Sequence, residues 1–228
     1  MALSEKVLAD HLTCPLLSPV GDLRDPAACV ERLMQWAILE AFNGRLVPAP
    51  NLRSKFLWFW QQQDPSGVKD ALFYQAVRNG NTAAKRIYMF LQLFEPLIPV
   101  TSYEMLIDGQ TVLGQYAMVQ RRGRSRSGYK KPLLLMVHSR RPKFHQCPDV
   151  VEMLRYLHVM RSTTATEVGI YHLPLLEGTA WERRQVDVAL VAKWVSAILK
   201  TVEMPKYPVA GNHCDRCALK TCREVFRG

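Results

Sequence analysis

Three cysteines near the end of the sequence, Cys214, Cys217 and Cys222, follow a C-x2-C-x4-C spacing. A Cys-x-x-Cys turn aims two thiolates at one centre, and the third cysteine can close a three-point clamp. Three thiolates leave a zinc ion or an iron–sulfur cluster one ligand short. His213, Cys14, Cys29 and Cys147 are the candidates for the fourth. Cys14 lies at the other end of the chain, in His11-Leu12-Thr13-Cys14-Pro15. If Cys14 completes the site, one inorganic centre ties the two ends together, and everything between must fold so that they meet. Cys29 and Cys147 have no cysteine nearby and read more simply as small buried apolar residues.

Charge supplies the second chemical signal. The formal net charge is +10, which calls for a polyanionic partner. Nucleic acid is the simplest choice; an acidic protein surface or anionic lipid also fits. From Gly109 to Pro148 there is no Asp or Glu. The same stretch carries Arg121, Arg122, Arg124, Arg126, Lys130, Lys131, Arg140, Arg141 and Lys143. Such groups contact phosphates and carry little sequence information. The alternative is that the 121–131 run is a solvated loop. His138 closes an apolar run, Leu133 to Val137. It has the chemistry of a transition-metal ligand or a base, but base catalysis needs a placed partner. Without one it reads as a hydrogen-bonded core residue.

The elements that must position these residues follow from pattern. A chain of 228 residues buries a sizeable core, as one domain with an insert or as two small domains. No apolar run resembles a signal peptide or reaches the length of a membrane span, so the expected setting is cytoplasmic, reducing and away from the membrane. There, clustered cysteines favour metal over disulfide. Residues 1–25 form a lead-in. Helical spacing over 26–44, 51–63, 70–78 and 82–95 predicts a helical subdomain at 26–99, with Asn79-Gly80 as a break. Phe56, Leu57, Trp58, Phe59 and Trp60 crowd its second helix; they read as packing surface more readily than as a base-stacking platform. After Pro96 and Pro99 the period changes. Strands are predicted over 101–107 and 111–120, joined by a hairpin at Asp108-Gly109. An apolar strand at 133–137, a helix at 149–160, a strand at 166–174, a further short strand at 181–186 and a helix at 187–202 complete an α/β core at 100–205. The cysteine segment occupies 206–228.

A lone N-terminal cysteine, a helical region, a β-β-β-α-β core and a C-terminal cysteine trio resemble the iron–sulfur branch of the PD-(D/E)xK nucleases. That branch includes the CRISPR adaptation exonuclease and the AddB nuclease domain. The resemblance implies a restriction-endonuclease-like mixed sheet. It implies a four-iron cluster (4Fe-4S) on Cys14, Cys214, Cys217 and Cys222, with zinc as the alternative occupant. Family members place one acid in a Gly-x-x-Asp strand and another in an Asp/Glu-x-Lys strand, because phosphodiester hydrolysis needs carboxylates to hold divalent metal. Here the first position reads Gly114-Gln115-Tyr116-Ala117 and the second His138-Ser139-Arg140. Glu104 matches an upstream acid. Glu152 and Tyr156 match the family's Gln-x-x-x-Tyr pair on the next helix. The expectation is a catalytically inactive nuclease fold with a positively charged groove. It would bind DNA or act as a scaffold within a recombination, repair or antiviral-defence complex, alongside other protein subunits. An active exonuclease using Glu104, Glu152 and displaced acids is one alternative; a pure protein-interaction subunit with a structural metal is the other.

Overall fold

Leu133, Leu134, Leu135 and Met136 are apolar at every position because both faces of their strand are covered. In the computed structural model, which describes residues 2–13, 26–63, 70–123, 130–140, 148–163, 167–183 and 187–202, they open a central strand, β4 (Leu133–Arg140). The chain begins with β1 (Ala2–Ser4) and α1 (Glu5–Thr13). Three helices follow: α2 (Pro26–Phe42), α3 (Ala49–Gln63) and α4 (Asp70–Leu93). Then come β2 (Phe94–Ile107), β3 (Gln110–Arg121) and β4, followed by α5 (Val150–Ser162), β5 (Gly169–Glu177), β6 (Trp181–Arg183) and α6 (Val188–Val202). The expected mixed α/β class is what the structure shows.

The described residues form one six-stranded sheet, with β3, β4, β5 and β6 in that spatial order and β1 and β2 both paired with β3. Pairing is parallel for β1–β3 and β4–β5 and antiparallel elsewhere. Successive side chains on a strand point to opposite faces. Ala117, Val119, Leu133, Leu135, Leu173 and Leu175 therefore join one hydrophobic cluster with α2, α3 and α4. Val112, Met118, Leu134, Met136 and Ile170 join a second cluster with α1, α5 and α6. The helices of residues 26–93 thus share a core with the sheet.

Several local expectations shift. Asn79-Gly80 does not break the helix: α4 is continuous. A Cβ on Gly80 would lie 2.7 Å from the Phe56 ring, so this glycine serves the close approach of α3 and α4. Pro96 and Pro99 do not precede the strand but lie inside it. The β2–β3 register slips between Pro96 and Ile98 and again between Ile98 and Thr101. Among the described residues β2 pairs only with β3, and an edge strand with bulges tolerates residues that lack an N–H. The Asp108-Gly109 hairpin stands as expected, with φ of 49° and 78°. Asp149 caps α5, its Oδ1 accepting from the Glu152 amide at 2.8 Å. The lead-in holds β1 and α1, which the pattern did not reveal. The strand expected at 166–174 runs from Gly169 to Glu177, through Pro174.

Candidate functional site

β3 has two edges, and β2 follows one of them for its whole length. The other edge is shared. β1 takes Thr111–Leu113, and β4 takes Met118 and Val119. Between these contacts Gly114, Gln115, Tyr116 and Ala117 have no strand beside them on that edge among the described residues. A cavity of about 230 Å³ opens there, reached by α2 on one side and α5 on the other. Ala117 and His138, from β3 and β4, both line it. The two strand positions that the sequence singled out thus border one cavity, and neither carries a carboxylate.

The remaining candidates separate. Glu104 is exposed, pairs in register with Leu113, and does not line the cavity. Tyr156 is buried in α5. Glu152 is 2% exposed and lies behind the cavity. Arg183 Nε approaches Glu152 Oε1 at 2.5 Å, and Arg183 Nη2 donates to Glu152 Oε2 at 3.4 Å. Arg140 ends β4, but its side chain lies outside the described residues. So do Arg124, Arg126, Arg141, Lys143, Cys14, Cys147, Cys214, Cys217, Cys222 and His213. Cys29 is buried in α2 as part of the core.

His138 has the placed partner that base chemistry requires, a feature invisible in sequence. Its Nε2 lies 3.0 Å from Nδ1 of His172, which is 1% exposed. Nε2 of His172 faces Glu152 Oε1 at 3.6 Å, beyond a direct hydrogen bond but within strong electrostatic reach. Trp181 stacks on His172 with ring centroids 4.3 Å apart and an interplanar angle of 3°. A neutral imidazole has one donor and one acceptor nitrogen. The carboxylate favours the proton of His172 on Nε2, so His172 Nδ1 accepts and His138 Nε2 donates. Nδ1 of the cavity-lining His138 is then left as a lone pair.

Burial, followed by the neighbouring His172, holds the His138 pKa down at about 4. The unfolded chain takes up a proton near pH 6.5, where the folded protein does not, so this histidine destabilises the fold as pH falls. Stability is expected to drop as pH falls from about 6.5 to about 4. Denaturant midpoints at the two ends of that window check it. His138→Gln should show a smaller drop than wild type, because the carboxylates that titrate there are common to both. Equal drops would count against this account.

The acids that do reach the cavity are Glu31 from α2 and Asp149 from the cap of α5, with Arg155 beside them. Arg155 is tied to Glu5 through Nε at 3.1–3.2 Å and through a closer Nη2 contact. Glu5 also accepts from the Tyr103 hydroxyl at 3.1 Å, and burial first, then the Glu5 charge, pushes that phenol's pKa well up. Gly114 lies beneath this group: a Cβ there would be 2.4 Å from Glu5 Oε2 and 2.5 Å from the Tyr103 ring. The glycine of the expected Gly-x-x-Asp position is therefore needed for docking α1. Glu31, Asp149, His172 and Arg183 escaped the sequence reading. Only the capping pattern of Asp149 gave any local signal.

The four described cations of the basic stretch are all engaged. Arg121 pairs with Glu182 at 3.7 Å, Lys130 with Glu95 at 2.9 Å and Lys131 with Glu167 at 2.7 Å. Arg122 Nε donates to the Leu91 and Phe94 carbonyls, closing the end of α4. None of the four lines the cavity. Among the described residues, no three of His, Cys, Asp and Glu converge as a metal site. Nor is any helix among them long and apolar enough to cross a membrane.

No protein-family profile and no curated protein matches this sequence. A solved structure described as the crystal structure of SSO0001 aligns with 90% of this chain and 79% of its own, at 12% identity and a TM-score of 0.31. A likeness at that score carries no argument.

Proposed function

We propose that this chain is a nuclease-like DNA-binding or scaffolding subunit, without metal-dependent cleavage, of a recombination, repair or antiviral-defence complex. One observation carries the reading: Ala117 and His138 both line the cavity where β3 and β4 part, and neither strand brings an acid. Hydrolysis through magnesium needs oxygen ligands at such a place. Glu104 and Glu152, the acids that an active enzyme would have used, lie outside the cavity. A second feature supports a clamp between the two ends. α1 (Glu5–Thr13), which precedes Cys14 in sequence, packs against α6 (Val188–Val202), which precedes the C-terminal cysteines in sequence. In this reading Cys14, Cys214, Cys217 and Cys222 hold a four-iron cluster or zinc.

The phosphate-binding role falls on the acid-free stretch, whose Arg140, Arg141 and Lys143 follow β4 in sequence. The paired cations there are partly exposed, and exposed pairs contribute only about 0–1 kcal/mol, so phosphate can compete for them. One assay tests both halves. Purified protein is incubated with single- and double-stranded DNA in manganese, which tolerates nitrogen ligands and would use His138 where magnesium does not. Binding is expected to weaken steeply with salt, and no cleavage is expected. Manganese-dependent cleavage abolished by His138→Ala would refute the inactive reading. Binding absent at every salt concentration would leave the interaction subunit.

A further inference from the structure

The aromatic run of α3 reads in sequence as packing surface, and the structure divides it. Phe56 and Trp60 are buried in the core, at 0% and 4% exposure, and Leu57 and Phe59 pack against it. Trp58 does neither: it is 47% exposed and belongs to neither hydrophobic cluster. A lone exposed apolar side chain needs no explanation, but this one has a built neighbourhood. Lys55 Nζ lies 3.8 Å from the centroid of the Trp58 ring, 5.1 Å from that of Phe59 and 5.5 Å from that of Trp36 on α2. Three rings thus hold one ammonium, each within cation–π range. One helical turn from Trp58 in either direction stand Ser54, Lys55, Gln61 and Gln62, all polar and none acidic. The sequence has no Asp or Glu from Ala41 to Gln63. Among the described residues Lys55 forms no ion pair, nor do the exposed Arg53 of α3 and Arg32, one turn from Trp36 on α2. Arg121, Lys130 and Lys131, by contrast, each face a carboxylate already.

We propose that the exposed side of α3, centred on Trp58 and Lys55, is a stacking site for an unpaired base of single-stranded DNA. An indole beside a cation that no carboxylate has claimed supplies both parts of such a contact: a π-system for the base and a charge for the neighbouring phosphate. Every base has a π-face, so the contact tolerates any sequence. A duplex keeps its base faces inside its own stack, so the site selects single strands. Tryptophans that anchor protein partners sit among contacts that exclude water, whereas the helical neighbours of Trp58 are hydrophilic. Neither Trp58 nor Lys55 lines the cavity, so this contact is separate from the β3 and β4 positions discussed above. The proposal rests on the DNA-binding half of the proposed function and adds to it a place and a preference for single strands.

The test is the binding of labelled oligothymidine to the full chain, followed by fluorescence anisotropy. A duplex and an abasic strand of the same length, which keeps the phosphates and lacks the bases, are measured beside it. Trp58→Ala should weaken oligothymidine binding by about fivefold or more, the worth of one stacked base. It should leave the duplex and the abasic strand unchanged, since neither offers a free base face. Trp58→Phe should recover much of the loss. Lys55→Gln should lower the log–log salt slope by about 0.7, the share of one phosphate on a single strand. Trp194→Ala removes a tryptophan of similar exposure, 39%, from α6 and should change nothing. If oligothymidine binds with salt sensitivity and Trp58→Ala matches Trp194→Ala, the site is overturned and the DNA-binding reading survives. Equal weakening on the abasic strand would make Trp58 a structural residue and overturn the site too. So would a Trp58→Ala protein that loses self-association in sedimentation while its DNA affinity is unchanged, which gives the surface to a second copy. Tighter Trp58-dependent binding of oligouridine would replace DNA by RNA and overturn the assignment. No binding of any strand by the wild type would overturn this site and the DNA-binding reading together.

Discussion

Arg183→Met is expected to cost about 3–5 kcal/mol of folding stability, because it leaves the Glu152 carboxylate buried beside no cation. Glu152 is 2% exposed and its Oε1 meets Arg183 Nε at 2.5 Å. The penalty comes from the uncompensated charge rather than from the attraction lost. The double variant Arg183→Met with Glu152→Leu should therefore recover a large part of the loss, since replacing a whole buried pair by apolar groups is often neutral. Urea unfolding midpoints of the two variants decide this. A single variant within about 1 kcal/mol of wild type, the range of an exposed pair, would show that water reaches Glu152. The double variant has a second reading. Without Glu152, His172 loses the group that orients it, and the His138 tautomer should become mixed even where stability is regained.

Cys14→Ser and Cys217→Ser are expected to abolish the same inorganic centre to the same extent. Protein purified without oxygen should be brown, with broad visible absorbance bleached by dithionite; either substitution should remove the colour. Colourless protein with stoichiometric zinc would give the alternative centre, with His213 as a possible ligand. Metal binding at such a site is folding free energy, on the order of 10 kcal/mol in small zinc domains. The described residues alone also form two hydrophobic clusters. The expected outcome is thus a folded protein with a markedly lower Tm, not an unfolded one. Full metal content in Cys14→Ser would sink the end-to-end clamp.

The order of helices and strands was legible because it rests on period. Leu133 to Met136 announce a strand covered on both faces, and Asp108-Gly109 announces a hairpin; both are local facts of composition. Gly80 and Gly114 were misread or half-read for one reason. A glycine that permits close approach looks, in sequence, like one that breaks a helix or marks a motif. Only the Phe56 ring, or the Glu5–Tyr103 pair, tells them apart. That β3 and β4, which carry Ala117 and His138, are neighbours was legible through the order of strands. The acids around them were not. Glu31 and Asp149 reach the cavity from helices far apart in sequence, and no spacing rule connects them. His172 was likewise hidden: a histidine on an apolar strand acquires its meaning from Glu152, which approaches from α5.

The docking of the first residues on β3 also has a bearing on the order in which the chain assembles. Leu3 pairs with Val112, and Glu5 meets Arg155, 150 residues further on. Contacts of such high contact order form slowly, since the loop between them must close before they contribute. During synthesis β1 and α1 emerge before the hairpin and α5, yet these are the elements they settle on. This early segment is therefore among the last to find its place. Leu3 and Leu8, buried in the finished protein, stay exposed throughout that wait.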